Sequence, residues 1–215
     1  MSTSGYITYT GGVASARETT PRPRDAKATQ ERLLLAAIDE FSERGLAGAR
    51  IDRIAERADA NKRLIYAYFG NKDELFDAVL ARTLGVLTES VPFTPEDLPN
   101  YAGALFDRLV ENPTVLRLAT WRNFERASAT DAERASYAGK VAAIRAAQKA
   151  GAIDNAIPPV DLLAILMSLV TSWLSAPAAL KQLAGGADPM APRRLKQHRR
   201  ALVEVVARAI VSRGA

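Results

Sequence analysis

One histidine, no cysteine and scattered carboxylates leave this 215-residue chain little with which to do covalent or metal chemistry. His198 falls on the apolar seam of the last helical pattern, among arginines and with no thiol to partner it. It reads as a packing or interface residue. The carboxylates form no group at metal-ligand spacing. Gly185-Gly186 lacks both the Gly-Lys continuation and the preceding strand of a phosphate-binding loop. No catalytic residue, metal or cofactor is therefore expected, and the chain does not read as an enzyme. One stretch does carry recognition chemistry. From Arg50 to Leu75, cations and phenols (Lys62, Arg63, Tyr66, Tyr68, Lys72) interleave with regularly spaced apolar residues.

The elements that must position these groups follow from that spacing. Ile51, Ile54, Ala55 and Ala58 recur at i, i+3, i+4 and i+7, which predicts one apolar face of a helix. Asp59 and Ala60 break the pattern, and Asp tolerates the left-handed backbone that a tight inter-helix turn needs. Asn61 is placed to cap a second helix carrying Leu64, Ile65, Tyr66, Tyr68 and Phe69, which stops at Gly70. Asn71 caps a third helix, with Glu74 in capping-box position, running to about Ser90. Upstream, Thr29 is a candidate cap for a helix to Arg44. Leu34, Ala37, Ile38 and Phe41 form its inward face, and Gly45 is its C-cap. Two short helices joined by a three-residue turn have the size and shape of a helix-turn-helix.

The run Ile54-Ala55-Glu56-Arg57-Ala58, then Lys62, Ile65-Tyr66, Tyr68-Phe69 and Asn71-Lys72-Asp73-Glu74-Leu75, follows a helix ending Phe41-Ser42-Glu43-Arg44-Gly45. It resembles the DNA-binding domain of the tetracycline-repressor (TetR) family of bacterial regulators, from Thr29 to Val79. The resemblance implies that Asn61 to Phe69 is the recognition helix, with Lys62, Arg63, Leu64 and Tyr66 facing base edges and Tyr68 and Lys72 on phosphates. Three positions depart from the family's habit. Arg50 stands where Thr or Ser usually caps; it can still reach phosphate but cannot cap. Asp59 stands for Gly. Arg63 stands for a small residue and adds a side chain suited to bidentate reading of guanine.

Charge and composition agree with a DNA-reading head on a body that need not touch DNA. The net charge of +5 is uneven: +1 over residues 1–25, +2 over 26–72, −4 over 73–191 and +6 over 192–215. Residues 1–25, rich in Ser, Thr, Gly and Pro, read as a disordered arm. Arg22 and Arg24 there form an extended segment suited either to a neighbouring minor groove or to plain solvation. Residues 26–72 form the helix-turn-helix domain, and residues 73–215 the ligand-binding and dimerisation domain. The most apolar run, Leu162 to Leu174, spans 13 residues, against roughly 20 needed to cross a bilayer. No membrane partner is expected, and the protein is expected to be soluble and cytoplasmic.

Beyond Pro92, Pro95 and Pro99, helices are predicted over Leu98–Glu111, Pro113–Ser128, Asp131–Ala150, Val160–Ser175 and Arg193–Arg213, with no strand pattern. The fold class is all-α, a three-helix head followed by a helical bundle. Leu162–Leu174 is apolar nearly all round, and Leu195, Leu202 and Ala209 recur every seven residues beside Val205, Val206 and Ile210. In the resembled family the last two helices of each subunit form a four-helix dimer interface, so a homodimer through Leu162–Leu174 and Arg193–Arg213 is expected. The competing reading is that both helices complete the monomer core. Arg193, Arg194, Lys196, Arg199 and Arg200 suit a solvated face, acids of a partner subunit, or an anionic ligand. The family also wraps an effector cavity in helices that here carry Trp121, Phe124, Tyr137, Met167 and Trp173, with Asn123 and Gln148 as polar contacts, and ordinary core packing competes at each position. The resulting expectation is a repressor bound to a pseudo-palindromic double-stranded operator and released by a small molecule. The alternatives are a regulator of the same fold with no ligand and, less supported, an all-α enzyme.

Overall fold

The computed structural model describes residues 23–126, 128–184 and 188–210. Among them the chain forms ten α-helices and one short 3-10 turn, with no strand. α1 (Pro23–Gly48), α2 (Ile51–Arg57), α3 (Lys62–Phe69) and the first half of α4 (Lys72–Ser90) close on one core. Leu33, Ala37 and Phe41 of α1 meet Ile54, Ile65, Leu75, Phe76 and Val79 there, all fully buried. The rings of Phe41 and Phe76 meet edge to face at 5.0 Å. Each large apolar side chain in such a core contributes roughly 1.5–3 kcal/mol of transfer free energy. The head therefore extends past residue 72, because α4 supplies a wall of its core.

α1 starts at Pro23, ahead of the expected Thr29 cap. Thr29 lies inside the helix, its hydroxyl donating to the Asp25 carbonyl at 2.8 Å. Proline is compatible with a helix's first turn, and Asp25 complements the dipole there. Arg24 accordingly belongs to a helix and not to an extended arm. Arg22 and the rest of the expected arm lie outside the described residues. Gly45, at φ 69° and ψ −178°, breaks the regular helix where its C-cap was expected. A Cβ there would also stand 2.8 Å from the indole of Trp121, so glycine is required on two counts.

The body contains α5 (Leu98–Glu111), α6 (Pro113–Glu125), α7 (Asp131–Lys149), α8 (Pro159–Thr171), α9 (Ala178–Gln182) and α10 (Pro192–Ile210). Prolines in the first turns of α5, α6 and α8 lack an N–H that would be unpaired there anyway. Tyr101, Leu105 and Phe106 of α5, Ile144 of α7, Leu162, Leu166 and Val170 of α8, and Leu202 and Val206 of α10 form the second core. α10 lies mainly along α5. Gly103 permits the approach, since a Cβ there would be 2.9 Å from the Arg199 guanidinium, which itself holds Asp107 at 2.6 Å.

Two further sequence-based boundaries shift by several residues. α6 ends at Glu125 and not Ser128, because the Arg122 guanidinium draws the extended segment back, donating to the carbonyls of Arg126 at 3.1 Å and Ser128 at 2.9 Å. α8 ends at Thr171 and not Ser175, and the short α9, headed by Pro177, follows unannounced by any apolar period. No described helix is long and apolar enough to cross a membrane.

Candidate DNA-reading face and ligand cavities

α2 and α3 are joined as the spacing predicts. Asp59 takes a positive φ of 46°, and the Ala60 amide donates back to Ala55 at 3.0 Å. The Asn61 side chain then accepts the Arg63 amide at 2.9 Å, capping α3. Ile65 is fully buried, and Tyr68 and Phe69 lie half-buried against the head core. That anchoring turns Asn61, Lys62, Arg63, Tyr66 and Ala67 outward. Leu64, one position before Ile65, is half-buried against the same core. Lys62 rests 3.1 Å from the Asp52 carboxylate, both well exposed, a pair that costs little to break. The Arg63 guanidinium has no partner among the described residues.

The start of α2 is held by groups that the spacing did not reveal. Arg50 makes no side-chain cap. Its amide donates instead to Glu40 at 3.0 Å, and the same carboxylate oxygen takes the Arg53 guanidinium at 2.7 Å. Glu40 is 1% exposed. Burial alone would push its carboxyl up, but the hydrogen bonds from Arg53 and the Arg50 amide, with the charge of Arg53, outweigh burial and hold it below the usual carboxylate range. The available signal was a carboxylate between Ala37 and Phe41 on the inward face of α1. With its cap thus replaced, the Arg50 side chain is exposed and has no partner among the described residues. Lys72 follows the Asn71–Glu74 capping box, and its ammonium donates to the carbonyls of Ala49 at 3.1 Å and Ala47 at 3.4 Å. Two of its three donors thus bind the loop before α2, which leaves one for an anion.

α6 grips this head from the body side. Trp121 donates its indole N–H to the Ser42 carbonyl at 3.2 Å. The Glu125 carboxylate accepts the amides of Leu46 and Ala47, and Arg126 spans Asp73 at 3.2 Å and Asp77 at 3.0 Å. Trp121 therefore does not wall a cavity: the close contact at Gly45 draws its ring to the junction. Phe124, 82% exposed, points to solvent and not to a pocket.

Two cavities lie beside this junction. One, of about 420 Å³, opens between α4, α5, α7 and α8 and includes Leu84, Leu87, Tyr101, Leu105, Tyr137, Lys140 and Met167 in its lining. The other, of about 640 Å³, lies between α4, α6 and α7 and is bordered by Val115, Leu118 and Asn123. Leu80, Leu84, Glu133 and Tyr137 border both. Glu133 is engaged by Arg122 at 2.7 Å and by the Thr130 amide at 2.7 Å. The hydrogen bond from Arg122 is the main cause that lowers its carboxyl. Of the expected ligand residues, Tyr137, Met167 and Asn123 thus border cavities. Gln148 does not, since its amide staples the loop before α8 through the carbonyls of Asp154 at 2.9 Å and Ile157 at 2.8 Å. Trp173 is likewise core: it is 5% exposed, donates to Pro189 at 3.1 Å and lies under Arg194. His198 packs between Phe106 and Trp173, and burial followed by the charge of Arg194 keeps its imidazole below the ordinary value.

Comparison with known proteins bears on both halves. Residues 33–79 match the family described as bacterial regulatory proteins, tetR family, and residues 97–208 the tetracyclin repressor-like C-terminal domain. The HTH-type transcriptional repressor SCO4008 of Streptomyces coelicolor is 45% identical over 169 residues, 77% of this chain and 88% of that protein. Among solved structures, the transcriptional regulator SCO4942 from Streptomyces coelicolor superposes with a TM-score of 0.74 at 38% identity, over 85% of this chain and 98% of that one. SmeT, solved as a complex with triclosan, shares the fold with a TM-score of 0.60 at 22% identity, over 87% of this chain and 93% of that one.

Proposed function

This chain belongs to the TetR family of DNA-binding transcriptional regulators, and from that premise we propose that it is a homodimeric repressor of a pseudo-palindromic operator, released by a small-molecule effector. The observation that carries the DNA-reading part is the capped, outward face of α3, where Lys62, Arg63 and Tyr66 are exposed on a helix that Ile65 fixes to the core. In this reading Lys62, Arg63 and Tyr66 meet base edges, with Asn61 beside them. Arg50, Tyr68 and Lys72 hold phosphates, with Lys72 placing its charge at the N-terminus of α4, where amides and dipole already favour an anion.

The effector part rests on the cavities. Both adjoin Glu133 and the larger also adjoins Arg122, on the helix whose C-terminal end holds the head through Glu125 and the following Arg126. An occupant that prefers one arrangement of α4, α6 and α7 over another thereby shifts the spacing of the two heads. Tight binding without that preference moves nothing. Repression follows from occupying a promoter and needs no chemical step.

Retention of genomic fragments by the purified protein, followed by sequencing of the retained DNA, tests the reading. The expected result is one recurring pseudo-palindrome whose half-sites lie about one helical turn, or a multiple of it, apart. Retention of all fragments alike would leave only non-specific affinity and overturn it.

A further inference from the structure

The smaller cavity brings together two donors, the Tyr101 hydroxyl and the Lys140 ammonium, that no carboxylate among the described residues pairs. Tyr101 is 6% exposed and lines the cavity, yet its hydroxyl has no hydrogen-bond partner among the described residues. Burial, with the neighbouring Tyr137, pushes that phenol up to about 12, so it remains an O–H donor at any ordinary pH. Lys140 lines the same cavity and forms no ion pair among the described residues. Its ammonium contacts the Ser136 hydroxyl at 2.9 Å and lies 5.6 Å from the Tyr137 ring centroid. Burial alone lowers the Lys140 ammonium from its ordinary value, as for a charge taken from water without a counter-charge.

The cavity's carboxylates do not supply that counter-charge. Asp77 is held by Arg126 and Glu133 by Arg122, while Glu89 stands exposed at the rim, where solvent screens it. The remaining wall is mostly apolar, with Leu84, Leu87, Val91, Leu105 and Met167 beside the hydroxyls of Thr88, Thr130 and Ser136. Both donors open onto the cavity, within reach of a ligand's acceptor, and a partly desolvated cation is best matched by an anion.

Resting on the effector reading above, we propose that the cavity takes an amphiphilic carboxylate, its apolar body along α4 and α8 and its carboxylate on Lys140 and Tyr101. Calorimetry at pH 7.5 with decanoate and decyltrimethylammonium below their micellar concentrations, and 1-decanol below its solubility limit, tests the assignment on the full chain. Decanoate is expected to bind about tenfold or more tightly than either other probe. Lys140→Met removes that advantage while leaving decanol affinity as it was, Lys140→Arg keeps it, and Tyr101→Phe reduces it several-fold. Melting curves establish that each variant is folded. Equal or tighter binding of the cation, or an advantage that survives Lys140→Met, overturns the proposal. Release of operator DNA by decanol or the cation, and not by decanoate, overturns the carboxylate class and leaves the effector reading standing. Binding of none of the three overturns the carboxylate site and leaves the effector reading, which names no ligand class, standing. Decanoate held through Lys140 without DNA release supports the site and overturns its role as an effector site.

Discussion

Arg63 and Lys72 are both cations of the head, but their surroundings assign them different work. Arg63 has its amide tied by Asn61 and its guanidinium unengaged on an exposed first turn, so nothing among the described residues competes for a base edge. Arg63→Ala is expected to cost ~1–3 kcal/mol on the best site and to relax preference at one position per half-site. Lys72 is partly engaged by the Ala47 and Ala49 carbonyls, a geometry that suits a fixed phosphate contact. Lys72→Ala is expected to weaken all sites about equally and to lower the salt slope by roughly one unit. Affinity measured against randomised operators at several salt concentrations separates the two, and a base-specific loss for Lys72 would reverse the assignment. Glu40 yields a prediction about acid. Its folded-state carboxyl lies below the usual range, so its stabilising effect is complete above the unfolded value of about 4.3 and is lost as pH falls through the folded value. The wild type is expected to lose stability through this acid window more steeply than Glu40→Gln, whose amide does not titrate. Parallel melting curves for the two proteins from pH 6 to pH 3 would count against the brace.

At the scale of elements, α6 is the piece that joins cavity to head. Its C-terminal end holds α1 through Trp121 and Glu125 and, through Arg126 just beyond it, α4, while Arg122 of the same turn holds Glu133 between the cavities. Glu125→Ala frees the amides of Leu46 and Ala47 but leaves both cores intact. Operator affinity without effector is expected to change less than about threefold, while effector-driven release weakens and hydrogen exchange at Leu46 and Ala47 rises. Undiminished release from this variant would show that coupling runs elsewhere. Almost none of this was legible in the sequence, and the reason is physical. The spacing of Ile51, Ile54, Ala55 and Ala58, the Asn61 and Asn71 caps and the Gly45 stop are local, so α2, α3 and the turn between them follow from residues within a few positions of one another. Which side of α6 meets the head is decided by partners 79 and 78 residues away, Leu46 and Ala47 against Glu125. An aromatic such as Trp121 looks the same in the sequence whether it lines a cavity or fills a junction. Trp173 and Gln148 were misplaced for the same cause, whereas Tyr137 and Met167 reach a cavity because α4 stands away from α7.

The whole molecule leaves apolar surface on the two helices expected to pair. Val160 and Ile165 of α8 and Val205 of α10 are 60%, 46% and 47% exposed, with Ala164, Ser168 and Ala201 also on the surface. Small residues between larger apolar ones let two helices approach closely, and a stable interface needs ~800 Å² from each partner. Leu202, by contrast, is 4% exposed and belongs to the core that α10 shares with α5 and α8. Its seven-residue spacing with Leu195 therefore reflects packing within one subunit, and the proposed pairing seam lies about a sixth of a turn away, at Val205. The two positions now give opposite expectations. Leu202→Glu buries an uncompensated carboxylate and is expected to abolish the cooperative melt of the body. Val205→Glu leaves the core untouched, so the variant stays helical and melts cooperatively, but two facing carboxylates across a two-fold axis repel. It is expected to sediment as a monomer and to lose on the order of 100-fold in operator affinity, because the second head no longer arrives with the first. A Val205→Glu protein that remains dimeric with full operator affinity would place the interface on another face of the body.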